Sequence, residues 1–422
     1  MCSAFHLHIG GAGVMMGDVL WKLYTKEQGD TIEKNYIFNE TENNNYPLSL
    51  YADLDDRMIN EVKKNKSICY QSNSFVTGKE DAANNYFKAY YNIGKEICEI
   101  ALNQVRRQVE SMDRLDQFII TSALSGGTGS GFTSIMMEQL SVEYDLKVEK
   151  NAFFIYPSQR MSNNIVDSYN AVFATHTTLE YCNSVVMFDN QSMYKVIDLQ
   201  IGLDFVDYTQ LNNLVSQIIS SYTGLRRFSK INNNKLFSGL CPYPRVHYII
   251  PQYGLLASID DYINQELNEK SLISFVTKPD QRLLQCEMKP ALFCASLIYR
   301  SKYTNPFLGQ SNLTLQNIRT KHQETPNVFQ CQSQNYTVIP ELAQLRQTGV
   351  FFSNDASVYN YFDNLGKKYD QLYNKRAFVH WFYGEGCEFG EMFQCREDLQ
   401  ALCNDYEEGY HQCGLEEDKD IE

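Results

Sequence analysis

The sequence predicts an α/β protein built on a doubly wound parallel sheet, and three observations predict it. Phe118 to Ile120 form an apolar run leading into the glycine burst Gly126-Gly127-Thr128-Gly129-Ser130-Gly131, after which Phe132 to Leu140 carry apolar residues at helical spacing. A second glycine-rich turn, Gly10-Gly11-Ala12-Gly13, joins a short apolar strand at His6–Ile9 to a helical pattern through Trp21 and Leu23. Strand-length apolar runs then alternate with helical patterns to about residue 225. Alternation of this kind yields βαβ units with the ligand at the carboxyl ends of the strands.

The glycine burst points to an anion. Glycine lets the backbone pass close to a ligand, and a following helix adds unpaired N–H donors and the positive end of its dipole. Together these suit phosphates. A flexible surface linker would not be held between an apolar strand and an apolar helix. The first turn is less specific: the spacing of Gly11, Gly13 and Gly17 admits a loose dinucleotide fingerprint and plain structural glycine alike.

Taken in order, residues 29–51 are polar, with Asn43-Asn44-Asn45 ahead of Pro47, and read as a loop. Ala52-Asp53-Leu54-Asp55-Asp56 places three carboxylates before a short helix around Met58 to Val62. Acids suit a helix start electrostatically, and beside phosphates one of them could hold Mg²⁺ directly or through water. Thr77 to Tyr86 opens a long helix with the stripe Ile93, Ile97, Ile100, Ala101, Val105 and Val109. Asp81 is its expected N-cap, and the amides of Ala82 to Asn84 are free to face a ligand.

Strands are expected at Ala152–Tyr156, stopped by Pro157, and at Val185–Phe188, with a helix at Thr175–Tyr181 between them. Leu211, Leu214, Val215, Ile218 and Ile219 mark a core helix from about Tyr208. After the polar Asn232-Asn233-Asn234-Lys235, Val246–Ile250 reads as a strand closed by Pro251. Helical patterns return at Tyr361–Phe382 and Gly390–Tyr406, and Leu415 to Glu422 read as a short charged, disordered end.

The net charge of -14 argues against nonspecific nucleic-acid binding. No apolar run reaches membrane-spanning length and the first residues lack the pattern of a secretory signal, so a soluble, cytoplasmic protein is expected. The 12 cysteines contain no CxxC pair and read as small apolar residues in a reducing compartment rather than zinc ligands.

Several strings carry a resemblance. Gly126 to Gly131, Thr77 to Tyr86 (TGKEDAANNY), His176 to Glu180 (HTTLE), Pro242 to His247 (PYPRVH) and Arg376 to Trp381 (RAFVHW) occur in order along nearly the whole chain. In these the sequence resembles the tubulin family, its alpha chains in particular. The resemblance implies a Rossmann-like GTPase domain of tubulin type with its core helix (1–228), an α+β intermediate domain (229–360), a C-terminal helical hairpin (361–410) and a disordered acidic tail (411–422). It implies GTP with Mg²⁺, a beta-tubulin partner, and the microtubule lattice with microtubule-associated proteins. Phosphates would then lie against Gly10, Gly11 and Ala12, against Asp81, Ala82, Ala83 and Asn84, and against Ser125, Gly126, Gly127, Thr128 and Gly129. Asn190, Tyr208 and Asn212 would meet the base, Asp167 the ribose and Asp55 the metal, with Asn163 also among the nucleotide-binding residues.

The departures matter as much. The family's glutamines are replaced by Gly11 and Met15, a serine by Ala123, and the first glycine of the signature by Ser125. Three side-chain hydrogen bonds to nucleotide are lost, at ~0.5–1.5 kcal/mol each, or about ten- to a thousandfold in affinity. Lys235 occupies the position of the family's catalytic glutamate, and residues 230–241 contain no Asp or Glu. An ammonium has only donors, so it cannot orient or deprotonate an attacking water.

The expectation is therefore a divergent alpha-tubulin-like structural subunit that holds GTP weakly and does not activate hydrolysis on a neighbouring beta subunit. A non-polymerising or end-capping relative is the alternative, separated from it by co-pelleting along microtubules. A dinucleotide-dependent oxidoreductase on the first glycine turn, which would make NADH fluorescence respond, leaves the second loop unexplained.

Overall fold

One ten-stranded sheet runs through the chain, its strands lying side by side in the order 327–332, 292–301, 347–355, 248–254, 184–189, 149–156, 114–123, 2–9, 49–53 and 75–77. The computed structural model describes residues 2–31, 36–40, 44–65, 67–144, 147–161, 164–201, 206–254, 269–286, 291–302, 315, 318, 320–323, 325–339 and 347–412. Asn163 and the charged end from residue 413 lie outside the described residues.

The first half builds the parallel part. Strand β1 (Cys2–Ile9) leads into α1 (Gly10–Glu27); β2 (Phe38–Glu40) and β3 (Asn45–Pro47) pair as a small hairpin; β4 (Ser49–Asp53) leads into α2 (Arg57–Lys64) and β5 (Phe75–Thr77). Next come α3 (Ile93–Val109), β6 (Arg114–Ala123), α4 (Thr133–Glu143), β7 (Glu149–Tyr156), α5 (Asp167–Tyr181), β8 (Ser184–Asp189), α6 (Asn190–Ile201) and α7 (Tyr208–Ser229). Strand β1 pairs in parallel with β4 and β6, and the parallel ladder continues through β7 and β8. Because both faces of this sheet are covered, β4 and β8 are buried at every position. All four residue runs expected as strands before residue 190 are strands or lie within one.

The second half is α8 (Asn234–Leu240), β9 (Tyr248–Gly254), α9 (Glu269–Val276), β10 (Leu292–Ser301), β11 (Asn327–Gln332) and β12 (Gln347–Asp355). The chain closes with α10 (Val358–Tyr373), α11 (Val379–Gly384) and α12 (Glu391–Gln412). Only Val185 and Val186 of β8 pair with β9, so two residue pairs join the parallel strands to the antiparallel β9-β12-β10 part.

Four expectations need correction. The stretch 29–51 is not all loop, since β2, β3 and the start of β4 fall in it. Pro251 does not end its strand: it sits inside β9 opposite Phe352. Proline is tolerated because β8 has already stopped pairing at Ile249, so its missing N–H breaks no ladder bond on that side. The helical pattern 361–382 is two helices, separated by a turn in which Arg376 and Phe378 take φ of 50° and 60°. The helix expected from Thr77 starts later, with Asn85 rather than Asp81 as its cap: Asn85 Oδ1 accepts from the N–H of Phe87 at 3.0 Å and of Lys88 at 3.4 Å.

One large core runs along the sheet, and a smaller separate cluster with Leu272, Val276, Leu297 and Phe351 lies under α9. Trp21, Tyr24, Tyr51, Tyr156, Tyr169, Tyr222 and Tyr248 are among the large core's largest fully buried side chains. Helix α7 is buried along almost its whole length and opens with a capping box between Asp207 and Gln210. Its far end sits in polar rather than apolar surroundings. Glu27 of α1 is fully buried between Arg227 of α7 and Arg300 of β10, at 2.9 and 2.6 Å.

Candidate functional site

Three backbone segments meet at the carboxyl end of the parallel strands. Gly10, with φ +72°, follows β1, and a Cβ placed on it would lie 3.1 Å from Gly129. A Cβ on Gly127 would come within 2.8 Å of the Ala82 Cβ and 2.7 Å of the Asn85 N. Asn84 Oδ1 lies 3.9 Å from the corresponding point on Gly126. These contacts pack the 10–13, 82–85 and 125–129 segments against one another, and side chains at these glycines would force them apart. Gly11, Ser125 and Gly126 are half-buried, and Ala12, Asp81, Ala83 and Asn84 are exposed, so the segments present an accessible concave backbone surface.

The glycine burst is a helix start rather than a free hairpin. Gly127 already has helical φ and ψ of -65° and -50°, and Thr128–Phe132 form a π-helical turn that runs into α4. The carbonyls are turned into the protein. Ser125 O accepts from Asn170 Nδ2 at 2.8 Å, Gly126 O from Ser130 Oγ at 2.6 Å, and Gly129 O from Ser122 Oγ at 2.7 Å. The amides of a first helical turn have no partner within the helix, so this surface presents N–H groups. Ala83 and Asn84 add a left-handed pair, with φ of 50° and 56°.

Asn170 was not legible in the sequence, yet it ties the cradle together. Its Nδ2 donates to Asn84 O and Ser125 O, both at 2.8 Å, and its Oδ1 accepts from the Tyr86 N–H at 3.2 Å. It lies three residues beyond Asp167 on α5, and nothing in the local pattern marks it. Asp167 opens that helix, is buried, and lines a cavity of about 240 Å³ shared with Ser158, Tyr361 and Lys368.

The remaining expected contacts stand at neighbouring strand ends. Asn190 is half-buried at the start of α6, where the preceding Asp189 accepts from Gln191 N and Ser192 Oγ. Tyr208, 56% exposed, opens α7 and leaves a ring face for stacking, and Asn212 is buried one turn later.

The acidic corner differs from a ready metal site. Asp55 Oδ2 is held by Arg57 Nε at 2.6 Å, and Asp55 Oδ1 accepts the Arg57 N–H at 3.2 Å. The Arg57 bonds hold the Asp55 carboxyl below the usual carboxylate range. Asp53, nearly buried, points Oδ2 to within 3.7 Å of where a Cβ on Gly11 would be. Burial pushes its pKa up to about 6, aided by the nearby Asp55 and Asp81 charges. Among the described residues no three His, Cys, Asp or Glu side chains converge on a point that could hold a metal ion. Mg²⁺ entering here would rely on phosphate oxygens and water for most of its ligands, and Asp55 would have to give up Arg57 to take part.

Residues 3–198 match the Tubulin/FtsZ family, GTPase domain. The chain is 33% identical to the tubulin alpha-3 chain of Zea mays, over 97% of its own length and 96% of that relative's. It is likewise 33% identical to the nucleomorph tubulin alpha chain of Guillardia theta, over 97% of both chains. The chain belongs to the tubulin family. Within it, this tubulin is a divergent alpha-like member.

Lys235 lies far from this tubulin's own cradle. Helix α7 has 22 residues, about 33 Å at 1.5 Å per residue, and Tyr208 and Lys235 lie beyond or at its opposite ends. Lys235 is exposed on α8, its N–H bonded to Asn232 O at 3.3 Å. The neighbouring Asn233 Nδ2 donates to the buried Tyr36 hydroxyl at 3.1 Å, which anchors the turn.

Proposed function

We propose that this chain is a structural, alpha-tubulin-like subunit that holds GTP in the cradle and pairs with beta-tubulin in microtubules. The observation that carries the reading is the packing of three segments around Gly10, Gly127 and Gly129 with the surrounding carbonyls turned inward. Such a surface favours a polyphosphate through backbone N–H groups and a helix dipole. Tyr208 then stacks on the base, Asn190 and Asn212 hydrogen-bond it, and Asp167 accepts from the sugar. In this reading residues 1–228 form the nucleotide domain, 229–360 the intermediate domain and 361–410 the outer helices.

The side chains lost at Gly11, Met15 and Ala123 weaken the site without removing its backbone donors. Mg²⁺ on Asp55 fits this chain less well than GTP fits the cradle, because Asp55 is engaged by Arg57. Isothermal titration of the purified chain with GTP, and identification of any nucleotide that co-purifies, test the reading. Absence of any guanine-nucleotide binding would overturn it.

In the polymer, Lys235 faces the nucleotide of a neighbouring beta subunit rather than its own, given its separation from the cradle. It supplies positive charge but no base, so the neighbouring GTP persists longer. Installing the acid by Lys235→Glu is expected to raise phosphate release from co-assembled polymer at least tenfold. An unchanged rate would reject this role.

A further inference from the structure

Arg57 stands among acids at the mouth of the cradle, ion-paired with Asp55 and close enough to feel the charges of Asp56 and Asp81. It opens α2, is largely exposed, and the next residue, Met58, packs with Cγ 3.4 Å from where a Cβ on Gly11 would sit. Helix α2 thus begins beside the Gly10–Ala12 turn, and Arg57 at its first position is held by Asp55. Its grip on Asp55 uses Nε and one terminal nitrogen, each 2.6 Å from Oδ2. A guanidinium has five N–H donors, so three remain to face outward. Asp55 aims the group, as a carboxylate orients an arginine fork in a fixed plane.

We propose that Arg57 is a phosphate-binding residue that contacts the terminal phosphate of the bound nucleotide and takes over much of the charge neutralisation otherwise left to a divalent cation. The proposal rests on the reading of the cradle as a nucleotide site. It explains why the acid expected beside the metal is spent on an ion pair. A chain that lost three polar side chains at its phosphate turns gains here a charged donor, and charge-assisted bonds to phosphate are roughly twice as strong as neutral ones. The inference also separates nucleotides: a group at the outer rim reaches the third phosphate and not the second, so it favours the triphosphate.

The test is affinity of the purified full chain for GTP and GDP, each with Mg²⁺ and with EDTA. Wild-type protein is expected to lose less than threefold in GTP affinity on metal removal. Arg57→Gln is expected to lose at least tenfold for GTP in EDTA, with GDP changed less than threefold, and Arg57→Lys to recover part of the loss. Asp55→Asn removes the carboxylate that aims the guanidinium, so it should weaken GTP binding in EDTA in the same direction as Arg57→Gln but by less than tenfold, with the dependence on Mg²⁺ still weak. Two results would overturn the proposal: Arg57→Gln indistinguishable from wild type, or wild type losing thirtyfold or more in EDTA with Asp55→Asn reproducing that loss. Failure of the wild-type chain to bind either nucleotide under any condition would instead reject the underlying nucleotide reading. Thermal melting of each variant without nucleotide separates a lost contact from a lost fold.

Discussion

Glu27 and Arg300 form a fully buried ion pair at 2.6 Å although 273 residues separate them in the chain. The same carboxylate accepts from both terminal nitrogens of Arg227 at 2.9 and 3.0 Å, and Ser220 Oγ bridges Glu27 and Arg300. The Tyr24 ring covers the Arg227 guanidinium at 4.4 Å. Burial pushes the Glu27 carboxyl up, but Arg300 and Arg227 outweigh it and hold it ionised. Two cations on one anion leave the cluster dependent on that anion. Glu27→Gln is expected to destabilise the chain by about 3–5 kcal/mol, the typical cost of stranding a buried charge. Joint replacement of Glu27, Arg227 and Arg300 by apolar residues should cost less than Glu27→Gln alone; urea denaturation followed by circular dichroism ranks the two.

Removal of the Asn170 amide tests the cradle without touching any ligand-facing backbone. Asn170→Ala loses two donated bonds and one accepted one. The loops at Asn84 and Ser125 then lose their common tie, and guanine-nucleotide affinity is expected to fall about tenfold, near 1.4 kcal/mol. Titration calorimetry measures this, with the wild-type melting temperature of the nucleotide-free chain as reference.

Gly10→Ala should be far more harmful than an equivalent change elsewhere. Its φ of +72° disfavours a side chain, and the new Cβ would press on Gly129 at 3.1 Å. The left-handed conformation alone costs about 1–2 kcal/mol, and the push on Gly129 opens the phosphate surface. At least a tenfold loss of nucleotide affinity is expected. Gly29→Ala meets nothing within 4 Å and should leave both affinity and stability near wild type.

Acid should destabilise the chain through its first strand. Burial drives His8 down to about 3, and His6 lies well below the ordinary histidine value for the same reason, with His8 and Arg227 adding to it. An unfolded histidine titrates near 6.5, so from there downward the unfolded chain binds protons that the folded chain refuses. Their stabilisation is complete above about pH 6.5 and is lost as the pH falls toward the folded values. Asp53 acts in the opposite sense: raised to about 6, it adds stability as pH falls from there toward 4. His6 is surrounded by the rings of His8, Trp21 and Tyr24, a setting that phenylalanine also suits. Between pH 7 and pH 5, His6→Phe is expected to lose about 2 kcal/mol less than wild type, measured by urea midpoints at both pH values.

Periodicity and glycine placement were enough to read most of the parallel sheet, because β1, β6, β7 and β8 carry short apolar runs and α7 is a long apolar stripe. Where the reading erred, a distant residue or an interrupted pairing decided the local structure. Asn85 took the capping role from Asp81 because its side chain closes directly on the Phe87 and Lys88 amides. Pro251 stays in a strand because the pairing of β9 with β8 ends at the Val186–Ile249 pair. The glycine burst became helical at once because Asn170, Ser130 and Ser122 draw its carbonyls inward. The ion pair of Asp55 with Arg57, two residues on, was likewise not legible in the string. Such pairings arise only when the chain has folded.

The cap at Asn85 has a second attachment. Its Nδ2 donates to Trp381 O at 3.1 Å, Tyr91 Oη to Glu391 at 3.0 Å, and Asn92 Nδ2 to Glu385 at 2.6 Å. The stretch that begins at the left-handed Ala83–Asn84 pair is therefore stapled along its length to the outer helices α11 and α12. A shift of the 83–84 turn and a displacement of α11 therefore share a hydrogen-bonded route through Asn85, Tyr91 and Asn92.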